Sequence, residues 1–267
     1  MSRTYKIIDA HAHIFPEKIA QKATDAIGKF YGIPMDHPAG TSETLLREGS
    51  KIGISRYLVS SVATTPAQVQ SINNFIYAEC SVHPEFFGFG TLHPKMENPE
   101  RELERIIELG LHGIKFHPDF QTFLIDDPAL IPLYRRIAQA KLPILFHMGD
   151  GRYEYSRPIR LGHVMEQVED LVAIAPHFGG YERWEEAAGT LKHPNIYFDT
   201  SSALFCMDYD MAMDLIHLFG ADHFMFGVDF PMWNHEEELE RFMRLPLTEE
   251  ERKQILSGTF ETVYGVK

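Results

Sequence analysis

Apolar residues in this chain come in short runs, and after each run the spacing changes to one apolar position in every three or four. The runs lie at residues 6–9, 57–62, 86–91, 113–116, 143–146, 171–175, 196–198 and 224–228, each of strand length and too short for a helix. The intervening stretches carry helical spacing: 16–29 with 43–51, then 66–81, 98–109, 128–140, 158–168, 183–191, 209–219 and 235–244. Local signals agree at several joints. Asn98-Pro99-Glu100 and Asp127-Pro128 set a capping residue before a proline, and Gly110 closes the Leu103, Ile106, Ile107 stripe. Eight strand-then-helix units with no linker, low-complexity tract or fixed repeat predict parallel strands joined by right-handed crossovers. Such a chain either closes as a (β/α)8 barrel or opens as a doubly wound sheet, and strands this short suit the small barrel. The expected architecture is α/β: one (β/α)8 TIM-barrel domain over residues 1–267. An extra closing helix is expected over 248–256, opened by a capping box of Thr248 and Glu251.

Composition narrows the partners. The 267 residues are 44% hydrophobic and carry a formal charge of −13, a field that repels phosphate backbones and anionic lipid. Neither nucleic acid nor a membrane is an expected partner, and no apolar run approaches the ~20 residues of a spanning helix. Two cysteines, Cys80 and Cys206, are too few for a disulfide framework, and the N-terminus lacks the apolar region of a signal peptide, so a cytoplasmic location is expected. A homo-oligomer is compatible with these features.

The 14 histidines change the picture most. Those in His-Pro pairs, at His37, His83, His93, His117 and His193, fall where turns are expected. Others stand at the C-terminal ends of the predicted strands, where a barrel gathers its reactive groups. Strand one ends Asp9-Ala10-His11-Ala12-His13, strand four Lys115-Phe116-His117, strand five Phe146-His147, strand six Pro176-His177, and strand eight Gly227-Val228-Asp229. His11 and His13 are two apart, so on an extended strand both project to one face, about 6.6 Å apart along the chain. With His147 and Asp229 they make a donor set suited to one divalent metal, zinc first and manganese second. In a closed barrel, strands one and eight are neighbours and strand five faces them across the mouth.

The constellation resembles the amidohydrolase superfamily, in particular the amidohydrolase-related branch that includes aminocarboxymuconate-semialdehyde decarboxylase, related aromatic-acid decarboxylases and several lactonases. The matching motifs are Ile8-Asp9-Ala10-His11-Ala12-His13, Gly113-Ile114-Lys115-Phe116-His117-Pro118, Phe146-His147, Pro176-His177-Phe178-Gly179-Gly180, Asn195-Ile196-Tyr197-Phe198-Asp199-Thr200-Ser201 and Phe226-Gly227-Val228-Asp229-Phe230-Pro231. Ile255-Leu256-Ser257-Gly258 resembles the closing helix, although Thr259-Phe260 follows where the family usually continues Asn-Ala. The resemblance implies that His11, His13, His147 and Asp229 hold one metal, with Asp229 also part of the catalytic apparatus, and that His177 is the acid/base. It also places Lys115 where a binuclear branch carries a metal-bridging lysine, so Lys115 and His117 become candidates for a second metal or for lining the site.

Specificity is expected from the loops after the strands. After strand one come Phe30, Tyr31, Met35 and His37; after strand four, Phe120, Gln121 and Phe123; after strand five, Asp150, Arg152, Tyr153, Tyr155 and Arg157; Phe205 and Trp233 follow later. Aromatics interleaved with guanidinium groups suit a small, flat or cyclic, carboxylated molecule, with Arg152, Tyr153, Arg157, Phe120 and Trp233 as contacts. The sequence reading favours hydrolysis of an amide, lactone or ester by a metal-activated water. The alternatives are a metal-dependent decarboxylase of an aromatic or muconate-type acid and, third, a non-catalytic metal-binding scaffold.

Overall fold

The computed structural model describes residues 5–35 and 39–266, so the loop candidate His37 lies outside the described residues. In chain order the strands are β1 (Ile7–His13), β2 (Ile54–Ser60), β3 (Phe86–Gly88), β4 (Gly90–Thr91), β5 (Ile114–Phe116), β6 (Ile144–Phe146), β7 (Ala173–Ala175), β8 (Ile196–Asp199) and β9 (Phe224–Met225). The helices are α1 (Glu17–Tyr31), α2 (Ser42–Ser50), α3 (Val69–Val82), α4 (Pro99–Glu108), α5 (Pro118–Gln121), α6 (Ile131–Gln139), α7 (Pro158–Gln167), α8 (Trp184–Thr190), α9 (Tyr209–Phe219), α10 (His235–Met243), α11 (Glu249–Lys253) and α12 (Thr259–Tyr264). Among the described residues no helix is long and apolar enough to cross a membrane.

The chain divides into two units, residues 60–199 and residues 1–59 with 200–267. In the central unit β4 to β8 pair in sequence order, all parallel. Their alternation with helices is what the apolar pattern predicts. The register sets Phe116 beside Phe146, and their buried rings stack at 5.7 Å with Tyr134 of α6 edge-on to both. Burying each such ring stabilises the fold by about 2 kcal/mol. α4 ends as its sequence predicts: Gly110 adopts φ +71°, its N–H bonds to Ile107 O, and Leu111 N–H reaches back to Ile106 O.

The expected single strand at 86–91 is instead two, β3 and β4, interrupted at Phe89. Gly88 and Gly90 flank the break. A Cβ on either would meet helix side chains, Cys80 and Ile76 of α3 at Gly88 and Ile106 of α4 at Gly90, so the glycines let helices press onto the backbone there. Asn98 makes no side-chain cap to α4, and Asp127 caps a turn, through Ala129 N–H, that precedes α6 by several residues.

In the terminal unit β1 and β2 lie side by side, and the stretch after β9 runs parallel to β1. Ala10 N–H bonds to Phe226 O, Asp229 N–H to His11 O, and His13 N–H to Phe230 O. The closing helix is longer than predicted. Thr248 and Glu251 form the expected capping box, but α11 continues through a wider turn at Gln254–Gly258 into α12, with Thr259 buried and accepting from Gln254. The Gly258-Thr259 step is therefore helical rather than an end.

Candidate metal centre and active site

The strand pairing just described brings His11, His13 and Asp229 together. Alternation along β1 sends both imidazoles the same way, with ring centroids 5.0 Å apart. Asp229 Oδ1 stands 3.1 Å from His13 Nε2 and 3.6 Å from His11 Nε2. Each of the three offers a ligand atom within 4.8 Å of the others, and His11 and Asp229 are buried. Two imidazoles and a carboxylate, sunk and convergent, are a donor set that a single divalent ion of the zinc or manganese class fits.

Neighbouring groups hold these ligands. Asp9, fully buried, takes N–H bonds from His11 and Val228 on one oxygen and faces His235 Nε2 at 3.1 Å with the other. Burial pushes the Asp9 carboxyl up, against the opposing pull of His235 and the two N–H groups. Ser201 Oγ lies 3.1 Å from His11 Nδ1, and Ser202 donates to Asp229 Oδ2 at 2.6 Å.

The central unit carries a second group of titratable side chains. Equal register of β5 and β6 sets His117 and His147 at matching positions, and their rings stack at 3.9 Å, with Phe120 stacked on the outer face of His117 at 3.7 Å. His147 Nδ1 is 3.2 Å from His177 Nε2, and its Nε2 is 3.7 Å from Asp119 Oδ2. His117, Asp119 and His147 also lie within mutual ligand reach. Burial raises the Asp119 carboxyl to about 7, even though Ser156 donates to it at 2.7 Å.

His177 sits in a backbone turn of left-handed residues, with φ +60° at His177, +57° at Phe178 and +90° at Gly179. Its N–H bonds to Asp199 Oδ1 and its carbonyl accepts Trp184 Nε1–H. Non-glycine residues held this way cost about 1–3 kcal/mol each and collect at functional sites. Lys115 is buried within β5, where its carbonyl accepts from Thr91 Oγ1.

The sequence-based substrate contacts are placed less uniformly. Arg152 makes two bonds to Asp150, at 2.9 and 2.6 Å, and its guanidinium lies 5.3 Å from the Tyr153 ring centre. Arg157 is held by Glu186 and Glu154. Both guanidinium groups thus face carboxylates of the chain itself. Because Asp150 is 1% exposed, Arg152→Ala is expected to cost about 1–2 kcal/mol of stability, read as a lowered urea midpoint; an unchanged midpoint would show the pair to be energetically idle. Trp233 packs against Phe205 at 4.4 Å and donates its indole N–H to Ser202 at 2.7 Å. Asp119, Asp199, Ser201 and Ser202 acquire roles from the structure that their positions in the sequence did not announce. Asp119 lies inside α5, a helix no apolar run signals; Asp199 and Ser201 lie in a motif stretch whose residues carry no ligand spacing, and Ser202 directly follows it.

The amidohydrolase family model matches residues 8–266. The chain belongs to the amidohydrolase family. No curated protein sequence matches it. Among solved structures, an uncharacterized TIM-barrel protein of Bordetella bronchiseptica superposes with TM-score 0.80 at 21% identity, over 97% of this chain and 98% of that one. A dihydroxybenzoic acid decarboxylase of a Polaromonas species, solved with manganese and the inhibitor 2-nitroresorcinol, gives 0.76 at 17% identity over 98% and 97%. A candidate 2-pyrone-4,6-dicarboxylic acid hydrolase of Pseudomonas putida gives 0.69 at 16% over 98% of both chains. This amidohydrolase has the TIM-barrel fold that its strand-helix alternation predicts.

Proposed function

We propose that this amidohydrolase is a metal-dependent decarboxylase of a small aromatic or muconate-type acid, its residues 1–267 forming one catalytic domain. This replaces hydrolysis as the leading reading, because the family's solved aromatic-acid decarboxylases match the whole chain and one of them holds manganese. The observation that carries the metal half of the proposal is the convergence of His11, His13 and Asp229 Oδ1. His147 joins them as fourth ligand on the strength of the sequence pattern.

When bound, the ion supplies a Lewis acid that anchors the oxygens of the substrate and stabilises negative charge developing beside them. His177 is the proton donor in this proposal. Its Nε2, 3.2 Å from His147 Nδ1, is the atom at which the proton is held, while the bond its backbone N–H donates to Asp199 Oδ1 and the left-handed turn keep the residue in place. Loss of the carboxylate breaks a carbon–carbon bond and leaves its electron pair on the ring carbon. The proton from His177 closes that position as C–H, and carbon dioxide leaves. Phe205 and Trp233, packed together with their rings tilted by 31°, are the apolar pair we assign to contact an aromatic substrate.

Hydrolysis stays as the second reading, since the candidate pyrone dicarboxylate hydrolase shares the fold. The two part on one assay. Manganese- or zinc-loaded protein is expected to release carbon dioxide from hydroxylated benzoates and to leave cyclic lactone dicarboxylates unopened; the opposite pattern would install the hydrolase reading. Since Arg152 and Arg157 already face carboxylates, Arg152→Ala is expected to slow turnover of singly and doubly carboxylated substrates alike. A loss confined to the second class would assign Arg152 to the extra carboxylate.

A further inference from the structure

We propose that Ser201 and Ser202 are positioning residues of the metal centre, each hydroxyl fixing the ligand atom that one metal-binding side chain presents. The inference rests on reading His11, His13 and Asp229 as that centre. The two serines follow β8 after Thr200, are buried, and reach different ligands: Ser201 Oγ meets His11 Nδ1 at 3.1 Å, and Ser202 Oγ donates to Asp229 Oδ2 at 2.6 Å.

For an imidazole to ligate through Nε2, its proton must stand on Nδ1, and a hydrogen-bond acceptor at Nδ1 selects that tautomer. Ser201 Oγ is placed to be that acceptor, and His11 Nε2 is the nitrogen turned toward Asp229 Oδ1. At the carboxylate the division is complementary. Ser202 occupies Oδ2, while Oδ1 is the oxygen that faces both imidazoles. The direction of the Ser202 hydroxyl is itself set, because Trp233 Nε1–H donates to Oγ at 2.7 Å and so turns the hydroxyl proton to the carboxylate.

Backbone conformation supports a dedicated arrangement. Neighbours on an extended strand point to opposite sides, so two consecutive hydroxyls do not ordinarily serve one centre. Ser202 adopts φ +50° and Asp229 φ +62°, left-handed at both ends of the same hydrogen bond. Each costs about 1–2 kcal/mol for a residue with a Cβ, a strain that the surrounding bonds must offset.

The test is a titration of metal-free protein with Zn2+ and with Mn2+, on the unaltered chain and on Ser201→Ala, Ser202→Gly and His11→Ala. Ser202→Gly is chosen because glycine suits the left-handed backbone while removing the hydroxyl, so folding is preserved or improved. Ser201→Ala and Ser202→Gly are each expected to weaken metal binding by about 10- to 100-fold. The thermal midpoint of the metal-free protein should stay level or rise in Ser202→Gly, and its tryptophan emission should shift as the Trp233 indole loses its partner. Metal affinities within twofold of the unaltered chain in both serine variants would overturn the positioning role while leaving the metal centre intact. Undiminished binding in His11→Ala, or no binding by the unaltered protein, would overturn the metal centre and this inference with it.

Discussion

His11→Ala and Asp229→Ala are expected to leave the purified protein without its metal, which the unaltered chain should hold at one equivalent of zinc or manganese. Each substitution removes one of the three side chains whose donor atoms lie within 4.8 Å of one another. Loss of a supporting group around a metal typically weakens binding about 10- to 100-fold, and loss of a ligand itself should exceed that. Asp229→Ala should be the more severe of the two, because Asp229 Oδ1 faces both imidazoles and brings the negative charge that offsets the cation. Stability offers a second reading of the same site. An ion at about 100 times its dissociation constant stabilises the folded chain by about 2.7 kcal/mol, so a chelator should lower the melting temperature of the unaltered protein and leave that of His11→Ala unmoved. Two tightly held equivalents would call for the second site with Lys115 and His117; none after loading would remove the metal reading.

Much of this centre is legible in the chain because its members are tied to strand ends. A His-x-His on an extended segment has its geometry settled by the two-residue period, and parallel strands with returning helices bring successive strand ends to one level. The same logic finds His117, His147 and His177. What it does not find is anything whose placement depends on departure from regular structure. Ser202 reaches its partner through a left-handed backbone that nothing in Thr200-Ser201-Ser202-Ala203 announces, and Asp119 lies in a four-residue helix below the length at which periodicity speaks. At the β3–β4 break, helix side chains sit against Gly88 and Gly90, a tertiary closeness invisible to an apolar run. The loop arginines are a different case. Their charge invites an anionic ligand, and the local carboxylates that engage them, Asp150, Glu154 and Glu186, are two, three and 29 residues away, so only the first two were open to inspection in the sequence.

His177→Asn is expected to keep the metal and lose the reaction. Asparagine is among the residues that tolerate the left-handed backbone, so the φ of +60° at this position should survive the change, and the bonds from its N–H to Asp199 and from Trp184 to its carbonyl belong to the main chain. What disappears is a titratable ring whose Nε2 stands 3.2 Å from His147 Nδ1. An amide at that place can accept or donate a hydrogen bond but cannot carry a proton to a carbon centre near neutral pH. Removal of a general acid typically costs about 10²- to 10⁴-fold, and the loss should appear in kcat with KM little changed, since the residues proposed to bind the substrate remain. Metal content measured on the same sample separates the roles. Metal lost to the extent seen in His11→Ala would make His177 a ligand, and turnover within a few-fold of the unaltered protein would leave proton delivery to another group.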